Sequence, residues 1–270
     1  MTNYTQYRDS SESTTQAQFP STIIWADCPM VELMHDPGKG HHHFDDFRGY
    51  TETATGVGNS SGLPVFEGNC TMTQEASGSN GSALAILCTT NNEEAALQCG
   101  QTGVMSISPD NGGKLWFECR IKKSSITEGN VFVGLAQGGA GVADFINDAG
   151  TDFSDVSLIG FNQFEADEDA FDFCYQNSGQ AFQTVLGDAA TVTAGTYVKL
   201  GFVFDPNAPA AEKIKIYVDG VEKTTFVTEA NMQAATFPSG DTMSPLIAIK
   251  ADSANDLTVS LDWWRAAYVR

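Results

Sequence analysis

The densest functional chemistry in this chain is Glu165-Ala166-Asp167-Glu168-Asp169, four carboxylates within five positions. On a strand, alternate residues project to one face about 6–7 Å apart, so Glu165, Asp167 and Asp169 would form a row of acids. Retaining glycoside hydrolysis uses two carboxyl groups about 5–5.5 Å apart, which makes this row a candidate for that reaction. Its setting favours another use. No β-branched residue separates the acids, and they lie between the apolar runs SLIGFN (157–162) and AFDFCYQ (170–176). The segment therefore reads as a solvated loop joining two strands. A hard cation is the third use, with Asp152, Asp155 and Asp172 as further oxygen donors, although no EF-hand spacing is present.

Other reactive types are sparse. Every histidine (His35 and His41-His42-His43) sits in one local cluster. Such a run binds transition metals adventitiously, whereas a built site holds its ligands on rigid elements with supporting hydrogen bonds. The cluster reads as a polar hinge. There is no Gly-x-Ser-x-Gly, and Gly138-Gly139-Ala140-Gly141 lacks the Lys-Ser/Thr that completes a phosphate-binding loop. Trp116, Tyr217 and Trp264 could stack on sugar rings or fill a core. On these grounds the expectation is a non-enzymatic protein with no catalytic residue, no metal and no cofactor.

Charge narrows the partners. With 14 Lys and Arg against 34 Asp and Glu, the net charge is −20 over 270 residues. Phosphate backbones and anionic membranes are bound through basic side chains, so neither nucleic acid nor membrane is expected as a partner. No run approaches a membrane span, and the N-terminus lacks the basic-then-apolar order of a signal peptide. Synthesis in the cytoplasm is expected. The six cysteines show no metal-ligand spacing. They are expected as free thiols, with Cys88–Cys99 the first pair to check for a bridge.

The elements that would position these groups are short and extended. Val198, Leu200, Phe202 and Phe204 alternate with Lys199, Gly201 and Val203, and Ile214, Ile216 and Val218 alternate with Lys215 and Tyr217. Period-two alternation marks strands with one buried face. Asp219-Gly220 supplies the positive φ of a tight hairpin. Similar runs recur from residue 83 to the end, closing with LTVSLDWWRAAYVR, whose alternation builds the last strand into the sheet. Single helical turns are expected within 138–148 and 229–236. Residues 1–18 are too polar to fold alone. The apolar groups Phe19, Ile23, Ile24 and Trp25, then Val31 and Leu33, precede HDPGKGHHH. They form either an outer strand or a docking arm, and the arm is favoured.

Ser108-Pro109, Leu115-Trp116-Phe117-Glu118-Cys119-Arg120-Ile121 and Phe132-Val133-Gly134-Leu135, followed by Leu158-Ile159-Gly160-Phe161 and Ile216-Tyr217-Val218-Asp219-Gly220, resemble the strand sequence of concanavalin A-like (laminin-G-like) jelly rolls. The resemblance runs in order over about residues 44 to 270. It implies an all-β, antiparallel jelly-roll β-sandwich. Glycosidases of that superfamily carry Glu-x-Asp-x-(x)-Glu on a central strand; matched residue by residue, Glu165 would be nucleophile and Asp167 helper, with Asp169 where a Glu should stand. Calcium on the sandwich rim is another property of laminin-G-like modules.

A narrower resemblance is to tailed-bacteriophage structural proteins of this group, carried by Phe44-Asp45-Asp46-Phe47 after a polar extension and by Asp262-Trp263-Trp264 near the end. It implies a capsid decoration or cement protein on the virion surface. The expected organisation is an extended N-terminal arm, 1–43, and a sandwich, 44–270. The arm residues Phe19, Ile23, Ile24, Trp25, Val31 and Leu33 are the expected contacts to major capsid protein or to other copies of the chain, a trimer being the expected oligomer. The alternative is a glycan-binding appendage module, and after it a polysaccharide hydrolase.

Overall fold

The computed structural model describes residues 18–47, 50–53, 56–59, 65–66, 70–77, 81–100, 102–109, 113–164, 169–252 and 256–270. In chain order the elements are α1 (Thr22–Trp25), α2 (Met30–His35), β1 (Gly40–Asp45), β2 (Tyr50–Thr53), β3 (Gly56–Asn59), β4 (Val65–Phe66), β5 (Thr71–Ser77), β6 (Gly81–Cys88), β7 (Glu94–Gln98), β8 (Met105–Ser106) and β9 (Leu115–Lys123). There follow β10 (Asn130–Gln137), β11 (Leu158–Gln163), β12 (Ala170–Gln176), β13 (Gln183–Thr191), β14 (Val198–Phe204), β15 (Ile214–Val218), β16 (Val221–Val227), α3 (Glu229–Gln233), β17 (Thr242–Lys250) and β18 (Leu257–Val269).

Two antiparallel sheets face each other. Sheet A runs β16-β15-β14-β9-β18-β6-β5, the hairpin β2-β3 forms the small sheet B, and sheet C runs β13-β12-β11-β10-β17-β7-β4, with β8 also on β17. The expected all-β jelly-roll sandwich is the fold found. Strand β18 organises sheet A. It pairs β9 along one edge and divides the other between β6, at Leu257 to Leu261, and β1, at Trp264 to Val269. The expected arm boundary after His43 thus falls inside β1.

The alternation read from the sequence becomes the core. Phe117 and Phe202 from sheet A stack at 5.3 Å, Phe202 meets Phe173 of sheet C at 5.5 Å, and Phe173 meets Phe161 at 5.1 Å. These offset and edge-on contacts add to the burial that holds the sheets together. The hairpin between β15 and β16 has the two-residue loop its sequence required, with φ of 50° at Asp219 and 78° at Gly220.

Three expectations change. Residues 22–25 and 30–35 are helical, because the apolar side chains share one side of a turn and lie on a sheet already complete in its hydrogen bonds. Residues 138–148 hold no helix and form turns of a long loop; the 229–236 turn does form, capped by Thr228 and Asn231. Finally, Cys70 and Cys88 are joined in a disulfide, while Cys99 is free. The pairing Thr71↔Leu87 puts Cys70 directly across from Cys88, with Cα atoms 4.4 Å apart. Strand register, invisible in the spacing of cysteines, selects the pair. Among the described residues no helix is long and apolar enough to cross a membrane.

Candidate functional site

Each sheet has its outer side covered by a segment of this chain, and the two coverings differ in chemistry. On sheet A the cover is the stretch from Gln18 to His35. The sheet meets it with specific polar sockets. Glu118, on β9 and fully buried, accepts the Ser21 amide at 2.9 Å and the Trp25 indole N–H at 2.7 Å. Burial pushes the Glu118 carboxyl upward, against the pull of those hydrogen bonds and the Lys199 charge. Trp263 donates its indole N–H to the Gln18 carbonyl at 2.7 Å, and Trp116 donates to Asp27 at 3.0 Å. The Arg265 guanidinium lies 4.5 Å over the Trp25 ring and 5.7 Å from that of Phe44. A Cβ on Gly201 would come within 2.8 Å of Ile24 Cδ1, so this glycine makes room for the covering segment.

The six expected contact residues divide accordingly. Ile24, Trp25 and Leu33 are buried with Trp116, Val203, Tyr217 and Ala267 of this chain's own sheet. Phe19, Ile23 and Val31 stand outward, with 49%, 55% and 49% of their surface exposed. Met34 and Phe44 are exposed beside them. His41, His42 and His43 are residues of β1 and His35 ends α2, so the cluster is not a hinge. His43 accepts the Trp264 indole N–H at 3.0 Å, and burial lowers its pKa to about 4. His41 lies beside Arg270, its pKa lowered by burial and then by that charge.

On sheet C the cover is the loop 138–156. Phe145 and Phe153 pack on Phe132 of β10, each at 5.3 Å, and Phe153 meets Phe164 at 5.0 Å. One buried ion pair clamps the loop. Lys250 and Glu94 face each other across β17 and β7 at 3.8 Å. Glu94 accepts the amides of Asp144 and Ile146 at 2.5 and 2.9 Å. Lys250 donates to the Ile146 carbonyl at 2.8 Å and pairs with Asp148 at 2.6 Å. Burial raises the Glu94 pKa. Sequence reading missed this clamp, although a Lys closing the apolar run PLIAIK and a Glu opening EAALQ were its signal. Beneath the loop, the buried Asn162 Oδ1 and Gln176 Oε1 have no hydrogen-bond partner.

The acidic motif resolves only in part. Glu165, Asp167 and Glu168 lie outside the described residues. Asp169 is exposed just before β12. The outer positions of β11 are Leu158, Gly160 and Asn162, with no carboxylate. Glu94 and Asp172 stand four strands apart in sheet C, about 19 Å at the usual strand spacing, beyond the separations that serve either mode of glycoside hydrolysis. The cation candidates are each used in turns: Asp152 accepts the Phe153 amide, Asp155 accepts the Ser178 hydroxyl and the Gly179 amide, and Asp172 accepts the Asp188 amide. Among the described residues no group of three or more His, Cys, Asp or Glu is placed to hold a metal ion. Trp116, Tyr217 and Trp264 are buried.

No protein-family model and no curated protein matches this chain. Solved structures do. A protein of unknown function from Shewanella oneidensis MR-1 is similar at 12% identity and TM-score 0.53, over 86% of this chain and 87% of its own. A mixed-linkage glucan GH16 protein from Bacteroides ovatus, solved with a G4G4G3G product, is similar at 13% identity and TM-score 0.52, over 83% and 99%. An endo-β-1,4-glucuronan lyase from Trichoderma reesei is similar at 14% identity and TM-score 0.50, over 86% and 94%. The fold is a concanavalin A-like jelly roll. These likenesses correct one expectation: the sparse reactive residues pointed to a non-enzymatic protein, yet solved neighbours of the fold are largely enzymes of polysaccharides, so that expectation is withdrawn.

Proposed function

We propose that this chain is a virion surface protein, a jelly roll added to a bacteriophage particle and joined to its neighbours through the N-terminal segment. One observation carries the reading. Of the eight exposed large apolar side chains among the described residues, Phe19, Ile23, Val31, Met34 and Phe44 belong to the segment from residue 18 to 45. Apolar groups gathered on one surface mark an interaction site, and aromatic anchors such as Phe19 and Phe44 commonly dominate interface energy. Ile24, Trp25 and Leu33 dock the segment on its own sheet and leave the exposed row facing outward. Partners of this row are the major capsid protein or further copies of the chain.

The test is electron cryo-microscopy of purified particles with a labelled antibody against this chain. Lattice-ordered density with the 18–45 segment against a neighbour is the expected result. Absence of the chain from the particle surface would overturn the reading.

A second reading, polysaccharide recognition, is favoured by the unpartnered amide oxygens of Asn162 and Gln176, which are buried under the sheet C loop, Asn162 across from Phe132, and would meet a sugar only with that loop lifted. Neutral sugars are bound by such planar polar groups and ring faces. Two of the fold neighbours above act on or hold glycans. A glycan array on the purified chain tests it: binding weakened by Asn162→Ala is expected, and an array without signal would overturn it.

A further inference from the structure

We infer that the exposed row on the N-terminal segment pairs two copies of this chain about a two-fold axis, sheet A outer side to sheet A outer side. The inference rests on the docking role proposed above and names its partner. What carries it is the distribution of charge. Between Lys123 and Lys199 the sequence contains no Lys or Arg and eleven Asp or Glu. This stretch builds β10 to β13 of sheet C and the loop upon it. Asp144, Asp148, Asp152, Asp155, Asp169 and Asp188 all stand exposed there. Every described Lys or Arg except Lys250 lies on a sheet A strand or on the residue next to one. Lys250 itself is buried in its clamp.

The molecule therefore has one uniformly negative side and one side of mixed charge. Two copies that each carry −20 repel, and the repulsion decides how they meet. Sheets of a sandwich are about 10 Å apart, so back-to-back pairing through sheet A separates the two acidic sides by more than about 20 Å, well beyond a Debye length of about 8 Å. Pairing through sheet C would press acid on acid. The sheet A side has the matching chemistry for a two-fold contact, in which one patch meets itself. Its centre is the apolar row, widened by Val221, which follows the Gly220 turn packed on Ser21. Its edge carries both signs, Glu32 and Asp36 with Lys39 and Arg270, so the two-fold brings unlike charges within reach of each other.

The experiment is sedimentation velocity on the purified full chain at low and high salt, with Ile23→Asp, Met34→Asp and Val142→Asp. All three positions are exposed, and circular dichroism melting checks that each variant keeps its fold. A two-chain mass is expected, retained or strengthened at high salt because screening relieves the residual repulsion. Ile23→Asp and Met34→Asp are expected to weaken association at least about tenfold, while Val142→Asp on the sheet C loop leaves it unchanged. A one-chain mass at the highest attainable concentration would overturn the pairing, as would a three-chain mass, or a dimer indifferent to Ile23→Asp and Met34→Asp. A monomeric chain that still decorates particles through residues 18–45 would remove the dimer and leave the docking role standing.

Discussion

The two coverings solve the same problem by different physics. The loop on sheet C is tied at both ends to strands of that sheet, and its hold is a packed aromatic cluster with a buried ion pair. The segment on sheet A is tied through β1 at one end, and its hold is a set of separate sockets, Glu118, Trp116, Trp263 and Arg265. A cover fixed at both ends over a shared core moves only when the sheet beneath it yields. A cover held at separate points can loosen by itself, since local openings range from nearly free to global in cost. The difference teaches that the outward surface of the sheet A cover, where the exposed apolar row lies, is also the part of the molecule best able to adjust to a partner.

The comparison breaks most easily at Lys250. Lys250→Ala leaves Glu94 buried without its cation, and a loss of about 3–5 kcal/mol is expected in urea unfolding. Adding Glu94→Leu should restore most of it; no restoration would mean that the loop is held by its aromatics alone. Trp25→Ala removes a buried aromatic and the indole donor to Glu118, a loss of about 3 kcal/mol. Here the loss should stay local: limited proteolysis speeds up between residues 18 and 36 while the global unfolding midpoint moves little. Global unfolding in step with cleavage would show that the two coverings are equally coupled to the core.

Reducing the Cys70–Cys88 disulfide, which closes a sequence separation of 18, is expected to cost about 3 kcal/mol, read as a lower denaturation midpoint with reductant. The smallest effect is a pH dependence. His43 has a folded pKa lowered to about 4 from the ordinary 6.5, so the unfolded chain binds the proton first as pH falls. Stability is whole above 6.5 and declines below it, by about 2 kcal/mol at pH 5. The carboxyls of Glu94 and Glu118, raised by burial, act with the opposite sign. His43→Gln should flatten the decline; an unchanged profile would place its cause elsewhere.

Much of the sandwich was legible because it is local. Val198 to Phe204 alternates cleanly, and Asp219-Gly220 announces its turn. The coverings were not, because their partners are distant in sequence. Ile24 and Trp25 look the same whether they bury against a neighbour or against Trp116 and Tyr217. The His41 to His43 run looked like a hinge because its strand partner, Trp264 to Val269, stands at the far end of the sequence. The stretch without Lys or Arg between Lys123 and Lys199 drew no notice as sequence, because only the sheet order gathers its acids onto one side.

Strand β18 also sets a timetable. Trp264 and His43 are 221 residues apart, and β18 lies between β9 on one side and β6 and β1 on the other. Until its thirteen residues have left the ribosome, sheet A exists as two halves with open inner edges. Pairings between distant segments form slowly, and unpaired apolar edges invite wrong partners in the interval. A chain that waits this long for its keystone has a second use for surplus acid: like charge keeps half-made copies apart until each can close upon itself.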